Sequence, residues 1–144
     1  MAQMVKAILV AVDGSKPSDR AVGHALDLLA AGLAAELHLL NVQPNLGGAI
    51  STFVPKDQVD AYHREEGQKC LASAIAIARK AGVDAKIHIG VGRQGEVASD
   101  FVTKLGAGLV VIGTRGHTGF AGVLLGSVAQ DVIAHAKVPV TLVK

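Results

Sequence analysis

The chain has 144 residues, half of them hydrophobic, and a formal net charge of +2 at pH 7. This balance, without a block of like charges, argues against nucleic acid or a membrane surface as a partner. The length predicts one domain spanning residues 1–144. The single cysteine, Cys70, excludes an internal disulfide framework. Because no signal-peptide pattern opens the chain and charges interrupt the longest apolar region, 26–40, we expect a cytoplasmic location.

Five apolar runs of strand length alternate with helical patterns along the chain. The predicted strands cover residues 5–12, 36–42, 85–89, 109–112 and 138–143. The predicted helices run from the N-cap Ser15 to near Gly32, and over 56–81, 96–105 and 128–136. Between strand 2 and the long helix, residues 44–55 are predicted to form a long polar loop with Gly47 and Gly48, which we expect to act as a lid.

The alternation predicts an α/β fold with a parallel sheet and helices on both faces. The nearly all-apolar strands agree, because a parallel sheet is buried on both faces. Right-handed crossovers favour a doubly wound sheet of order 3-2-1-4-5. Such sheets bind ligands beyond the carboxyl ends of the strands, where the order reverses. That reversal lies between strands 1 and 4, so Asp13 and the glycine-rich segment after strand 4 are predicted to face one crevice.

The segment 113–127, with the sequence GTRGHTGFAGVLLGS, leads from strand 4 into the last helix. Free N–H groups and the dipole of a helix N-terminus attract anions, and glycines let the backbone approach a ligand. Arg115 adds a positive charge suited to phosphate. A surface loop with turn glycines is the alternative, but the ordered spacing Gly113-x2-Gly116-x9-Gly126-Ser127 favours phosphate. The Walker motif and the GxGxxG dinucleotide fingerprint are both absent.

Four segments resemble the ATP-binding branch of the universal stress protein family: ILVAVDGS at 8–15, VVIGTRGH at 110–117, LGSVA at 125–129 and VPVTLV at 138–143. The resemblance covers essentially the whole chain, and the glycine spacing matches the family's ATP-binding pattern. It implies a five-stranded Rossmann-like sheet of order 3-2-1-4-5, similar to the adenine nucleotide alpha hydrolases. It also implies a homodimer that binds ATP, usually with a divalent cation, which we expect to be Mg²⁺ or Mn²⁺.

By this resemblance the glycine segment approaches the ribose and phosphates, the helix start at Ser127 holds the phosphate tail, and the backbone of Val42 contacts the adenine edge. Asp13 faces the nucleoside or its metal ion. Some relatives have proline where this chain has Ala11, which weakens one expected contact on the adenine side. The residues that the resemblance assigns to the nucleotide site are Ala11, Val12, Asp13, Ser15, Val42, Gly113, Arg115, Gly116, Gly126, Ser127 and Val128.

The last predicted strand, from Val138 to Val143, lies at an edge of the expected sheet. Its apolar residues would form an exposed edge that invites aggregation unless another chain covers it. Pro139 has no N–H group and therefore fits an edge or an incomplete ladder. We expect this strand to pair with the same strand of a second copy, because two-fold contacts are the commonest kind of oligomer interface.

Three single residues have a structural and a chemical interpretation. Asp13 is either a turn residue or a ligand contact, and its place at the reversal favours the ligand. His117 has no visible carboxylate partner, so an exposed loop histidine is favoured over a general base. Cys70 follows the helical stripe of the long helix, which predicts a buried, inert thiol. The remaining histidines do not have the spacing of a zinc site.

Other families with this fold fit less well. A response-regulator receiver needs an acidic pair, a second aspartate and a lysine, of which the chain offers Asp13 alone. A flavodoxin stacks its flavin on aromatic loop residues, yet the chain has one tyrosine, three phenylalanines and no tryptophan. Adenylating enzymes carry a glycine-rich loop directly after strand 1, where this chain has the short turn 13–17.

The sequence therefore predicts an ATP-binding regulatory protein that acts as a nucleotide-dependent switch. We expect little catalysis, since neither a Walker lysine nor an evident base is present. Two alternatives remain open at this point: a slow metal-dependent ATPase, and an interaction module with a vestigial nucleotide site. The stress and the downstream protein partner cannot be named from these residues.

Overall fold

The computed structural model describes residues 5–115 and 125–144, except for the side chain of Ser51. The strands in this part of the chain are β1 (Ala7–Ala11), β2 (Glu36–Gln43), β3 (Lys86–Val91), β4 (Leu109–Gly113) and β5 (Val140–Val143). The helices are α1 (Lys16–Ala30), α2 (Gly48–Phe53), α3 (Lys56–Lys80), α4 (Gln94–Leu105) and α5 (Ser127–His135). All five predicted strands and the four predicted helices are confirmed, with most ends shifted by one or two residues.

The prediction that residues 44–55 form a loop throughout is wrong, because they contain the short helix α2. Gly47 is the N-cap residue of this helix and has a φ of 88°, a backbone conformation that glycine adopts without strain. The Val54 N–H donates to the Ile50 carbonyl at 2.9 Å, and the Thr52 hydroxyl donates to the Gly48 carbonyl at 2.8 Å. The glycine pair disfavours helix in general, but here one glycine lies outside the helix and these local bonds stabilise the single turn.

The five strands form one parallel sheet of order β3-β2-β1-β4-β5, as the sequence predicts. In the centre, Val10 pairs with Leu39 of β2 on one side and Val111 of β4 on the other. The sheet therefore grows from β1 in two directions, with β2 and β3 on one side and β4 and β5 on the other, and the strand order reverses between β1 and β4. In doubly wound sheets, the carboxyl ends of the two strands at such a reversal border a ligand crevice.

Helices cover both faces of the sheet and enclose two apolar clusters. Ile8 and Val10 of β1 point into the cluster beneath α1 and α3, whereas Leu9 points into the cluster beneath α4 and α5. Alternate strand residues are thus buried on opposite faces, which explains the nearly continuous apolar strands. This packing holds the ends of β1, β2 and β4 in fixed positions at the crevice.

The start of α4 is joined directly to α5. The Gly95 N–H donates to the Asp131 carboxylate at 2.7 Å, and Arg93 lies 3.9 Å from the same carboxylate. His135, one turn further along α5, lies 3.3 Å from Asp131. A side chain at Gly95 would collide with the Asp131 backbone, so only glycine permits this close approach. The contact fixes the first turn of α4 against α5.

Candidate functional site

Two walls face each other across the crevice at the sheet reversal. The β1–β2 wall comprises residues 12–15, residues 41–43 and Gln94. The β4–α5 wall comprises residues 113–115 and 125–128. These walls contain every described residue of the predicted nucleotide site except Ala11, which ends β1 beneath them. Gly116 and His117 lie outside the described residues, as does most of the glycine-rich segment.

The turn after β1 is held by its own side chains. The Ser15 N–H donates to the Asp13 carboxylate at 2.9 Å, and the Asp13 N–H donates to the Ser18 hydroxyl at 3.1 Å. The buried Ser15 is the N-cap of α1, as predicted, and accepts a hydrogen bond from the Ser18 N–H. Gly14 has φ of 83° and lies against the backbone of Cys70. The structural interpretation of Asp13 as a turn residue therefore holds, and it leaves a carboxylate at the mouth of the crevice.

The end of β2 carries buried amides that the sequence analysis missed. Asn41 and Gln43 are 3% and 8% exposed. The Asn41 amide donates to the Val12 carbonyl at 2.7 Å, and the Gln43 amide donates to Asn41 at 2.6 Å. Two amides near the end of a strand that is predicted to be buried were the available signal, because such groups need partners inside the protein. Their network joins the end of β2 to the end of β1.

Val42 is buried between these amides, and a third amide reaches its backbone. The Gln94 side chain, at the first residue of α4, donates to the Val42 carbonyl at 3.0 Å. Gln94 was also missed by the sequence analysis, which began this helix at residue 96. The Val42 backbone that the resemblance assigns to adenine thus already has a side-chain partner.

Cys70 borders the same amides and is partly exposed, so the prediction of a fully buried thiol is wrong. Ala74 and Ala78 of the predicted stripe are buried, but Leu71, the residue after Cys70, is the buried position one turn before them. Burial raises the pKa of the Cys70 thiol, and the negative charges of Asp13 and Glu66 raise it further. A raised pKa lowers the thiolate fraction and agrees with the predicted low reactivity.

The end of β4 is closed by backbone contacts. The Thr114 N–H donates to the Val143 carbonyl at 2.9 Å, and the Gly126 N–H donates to the Thr114 carbonyl at 2.6 Å. A Cβ on Gly113 would lie 3.0 Å from Pro17 of α1. The packing of α1 against β4 therefore explains this glycine without a ligand. Arg115, the next charged residue, is exposed.

The N-terminus of α5 is open. Its N-cap is Gly126, and Ser127 is the first helical residue, one position before the predicted start of this helix. Glycine offers no side-chain oxygen, and no side-chain hydrogen bond caps this helix in the part of the chain that the structure describes. Ser127 and Val128 are exposed. The N–H groups in the first turn of a helix and the positive end of its dipole attract anions.

Metal binding has limited support from the protein side. Within residues 5–115 and 125–144, no group of three or more His, Cys, Asp or Glu side chains is arranged to hold a metal ion. The carboxylate of Asp13 is a hard oxygen donor at the crevice and suits Mg²⁺ or Mn²⁺. Such an ion would need further oxygen ligands from phosphate or water.

Within residues 5–115 and 125–144, no helix has the length and apolar character needed to cross a membrane.

The comparisons with known proteins agree with the fold. A universal stress protein of Methanocaldococcus jannaschii is 33% identical over 98% of this chain and 83% of its own length. The Bacillus subtilis universal stress protein YxiE is 32% identical over 98% of this chain and 100% of its own length. By contrast, this chain covers 35% of the longer universal stress protein E of Salmonella typhi, with 32% identity over 76% of this chain.

Solved structures show the same architecture. A universal stress protein in complex with cAMP has a TM-score of 0.73 at 27% identity and covers 99% of both chains. The universal stress protein of Archaeoglobus fulgidus in complex with dAMP has a TM-score of 0.68 at 27% identity, covering 99% of this chain and 100% of that one. The model of the universal stress protein family matches residues 4–144. The chain therefore belongs to the universal stress protein family.

Proposed function

We propose that this protein is a cytoplasmic ATP-binding regulator of the stress response, built as one domain over residues 1–144. One observation carries the proposal: the N-terminus of α5, which no side chain of the described residues caps, lies beside the end of β4, across the sheet reversal from Asp13. An anion-binding helix start and a carboxylate on opposite walls suit a ligand with a phosphate tail and a polar nucleoside. Relatives in complex with cAMP and dAMP support an adenine nucleotide.

In this proposal the two walls bind different parts of ATP. Gly113, Arg115 and Gly116 contact the ribose and phosphates, and the first turn of α5, with Gly126, Ser127 and Val128, holds the phosphate tail. The Val42 backbone meets the adenine edge above Ala11 and Val12. Asp13, oriented by the turn that Ser15 ends, contacts the nucleoside or a Mg²⁺ or Mn²⁺ ion. The ion would neutralise phosphate charge and take its other ligands from phosphate oxygens and water.

Calorimetric titration with ATP and Mg²⁺ tests this function. We expect micromolar affinity, equivalent to about −8 kcal/mol. A Gly116→Val variant should lose binding while keeping its circular dichroism spectrum, since a side chain would block the close backbone approach. A folded Gly116→Val variant that binds ATP as tightly as the wild type would contradict the role of this glycine. Wild-type protein that binds no nucleotide would instead favour the vestigial interaction module.

We propose binding without rapid turnover. Hydrolysis requires a positioned water and stabilisation of the transferred phosphoryl group, whereas the described crevice offers Arg115 and Asp13 on opposite walls. Binding would act by favouring one conformation of the protein, and ATP can shift that equilibrium only through its higher affinity for that conformation. Single-turnover assays with Mg²⁺ and Mn²⁺ should give rates far below the ~10 s⁻¹ typical of enzymes. Fast turnover that disappears in His117→Ala would establish an ATPase.

A homodimer through β5 completes the proposal. β5 pairs on one side with β4 and lies at the end of the described sheet, with Leu142 exposed. The Pro139 carbonyl accepts from Val110 at 3.0 Å, so the strand is firmly attached to its own sheet. Pairing with a second copy would cover its free edge. Sedimentation should give twice the chain mass, and Val140→Lys should give monomers; a wild-type monomer at micromolar concentration would disprove the interface.

A further inference from the structure

We propose that His38 and His88 form a pH sensor: the pair keeps its hydrogen bond when it takes up one proton, and a second proton breaks that bond and loosens the contact with α4. Each histidine is the third residue of its strand, β2 or β3, so the pair lies toward the amino ends of these strands. The crevice lies at the carboxyl ends. The sensor is therefore separate from the proposed nucleotide site and does not depend on it.

The two imidazole rings are joined through their nitrogens. His38 Nδ1 lies 2.9 Å from His88 Nε2, and the ring planes differ by only 20°, with centroids 5.1 Å apart. His38 is 3% exposed, so water does not readily replace this bond. Two nitrogens at such a distance need one proton between them, because an N–H group must face a lone pair.

Glu36 sets the direction of the hydrogen bond in the neutral pair. Its carboxylate lies 3.2 Å from His38 Nε2 and 2.9 Å from the Lys86 ammonium. The hydrogen bond and the charge of Lys86 lower the pKa of Glu36, so near neutral pH this carboxylate is an acceptor. His38 Nε2 therefore carries a proton, and Nδ1 of a neutral His38 has a lone pair. His88 Nε2 is then the donor between the two rings.

The pair can take up one proton and keep this hydrogen bond. His88 is partly exposed, and a proton that binds its Nδ1 allows the proton on Nε2 to move across to His38 Nδ1. His88 becomes its other neutral tautomer, and the positive charge lies on His38 beside the Glu36 carboxylate. His38 then donates from both ring nitrogens, to Glu36 and to His88, so both contacts persist.

A second proton does not fit the same geometry. Both facing nitrogens would carry N–H groups, with two cations side by side. Burial lowers the pKa of His88, and the charge of a protonated His38 lowers it further. Lys104 of α4 and Lys86 act in the same direction. The bond must therefore break before the second proton binds, and because the His88 ring packs against Phe101 with centroids 5.3 Å apart, its displacement acts on α4.

Urea denaturation from about pH 7 to about pH 5.5 counts the protons. The two histidines of the unfolded chain bind two protons below a pKa of about 6.5, whereas the native pair binds one, so stability falls as the pH falls. In His88→Gln the amide can donate to or accept from His38 and does not titrate, so the extra proton disappears. The wild-type folding constant should fall about fivefold to tenfold more than that of His88→Gln.

His24→Gln is the matched control, because α1 lies on the opposite face of the sheet and this histidine is also partly exposed. It should keep the wild-type dependence of stability on pH. If the folding constants of the wild type and His88→Gln fall equally on acidification, the native pair accepts two protons and is not a sensor.

Nuclear magnetic resonance separates a shared proton from the burial of His88 alone. In the wild type, the ring nitrogens of His38 and His88 should shift together in the first titration step, since strongly coupled groups titrate as a pair. The ring signals of Phe101 should move in the second step. In His38→Gln, His88 should become cationic at a higher pH than in the wild type. Independent titration of the two wild-type rings, or an unchanged His88 titration in His38→Gln, would overturn the proposal.

Discussion

The two walls of the crevice satisfy their polar groups in different ways. In the β1–β2 wall the side chains bond to backbone carbonyls and to one another, as Asn41 does with Val12 and Gln43. In the β4–α5 wall the backbone is bonded, but α5 starts without a side-chain cap and Arg115 is exposed. A pre-formed network presents fixed donors and acceptors, whereas an open helix start attracts charge. Selectivity for a base is therefore expected on one wall and affinity for phosphate on the other.

Removing the charge of the β4–α5 wall should have the largest effect on binding. In Arg115→Ala, ATP affinity should fall about tenfold to hundredfold, because a hydrogen bond to a charged group contributes about 1.5–3 kcal/mol. Adenosine, which has no phosphate and keeps only the ribose contact, should lose much less affinity than ATP. Calorimetry at constant ionic strength measures both, and Arg64→Ala on the exposed side of α3 is the control. Equal losses for ATP and adenosine would contradict the division between the walls.

Breaking the network of the β1–β2 wall should lower stability. Asn41→Ala leaves the Val12 carbonyl and Gln43 without their buried partner, which costs about 1–3 kcal/mol of unfolding free energy. Urea denaturation measures the change. Asn45→Ala removes an exposed asparagine in the following segment and should stay within about 0.5 kcal/mol of the wild type. If both variants lose the same stability, the network is not what fixes this wall.

Two serines at helix starts provide a smaller comparison. Ser15 caps α1 and is buried, so Ser15→Ala should cost about 0.5–2 kcal/mol of stability. Ser127 is exposed and does not cap α5, so Ser127→Ala should change stability by less than about 0.5 kcal/mol. Thermal unfolding of the two variants under one buffer condition measures the difference. Greater destabilisation by Ser127→Ala would mean that α5 is capped by this serine after all.

The smallest effect concerns the charge of the β1–β2 wall. Burial, followed by the negative charge of Asp13, raises the pKa of the Cys70 thiol. In Asp13→Asn that pKa should fall, and the pH profile of alkylation by iodoacetamide should move to lower pH. Glu65→Gln, an exposed neighbour on α3, should leave the profile in place. A profile that does not move in Asp13→Asn would mean that the charge of Asp13 does not contribute to the pKa of the thiol.

The fold could be predicted because its signals are local and repeated. Apolar strands alternating with helical stripes determine the parallel sheet, and crossover handedness limits the strand order. The short helix α2 was missed, because it depends on hydrogen bonds within one turn after Gly47 rather than on helix propensity. Cys70 lies beside the buried stripe of α3, and the sequence spacing did not separate these neighbouring positions.

The candidate site could be predicted in position but less well in its contacts. Asp13 and Gly113 follow or end the two strands on either side of the reversal, because the strand order places them there. Gln94 and Val42 are 52 positions apart in the chain, and a contact of that kind depends on how α4 docks rather than on any local motif. Gly113 shows the opposite case: its conspicuous spacing suggested a ligand, whereas contact with Pro17 already requires glycine.

The carboxylate of Asp131 has a thermodynamic consequence. It belongs to the helix whose first turn would receive phosphate, and it holds the residues on both sides of Gln94. A displacement of α5 is therefore transmitted to the β1–β2 wall, which contains Gln94. The free energies of the two fragments, adenosine and inorganic triphosphate, should not sum to that of the intact nucleotide, because each alters the site that the other enters. This coupling is reciprocal, so each fragment must change the affinity of the other by the same factor.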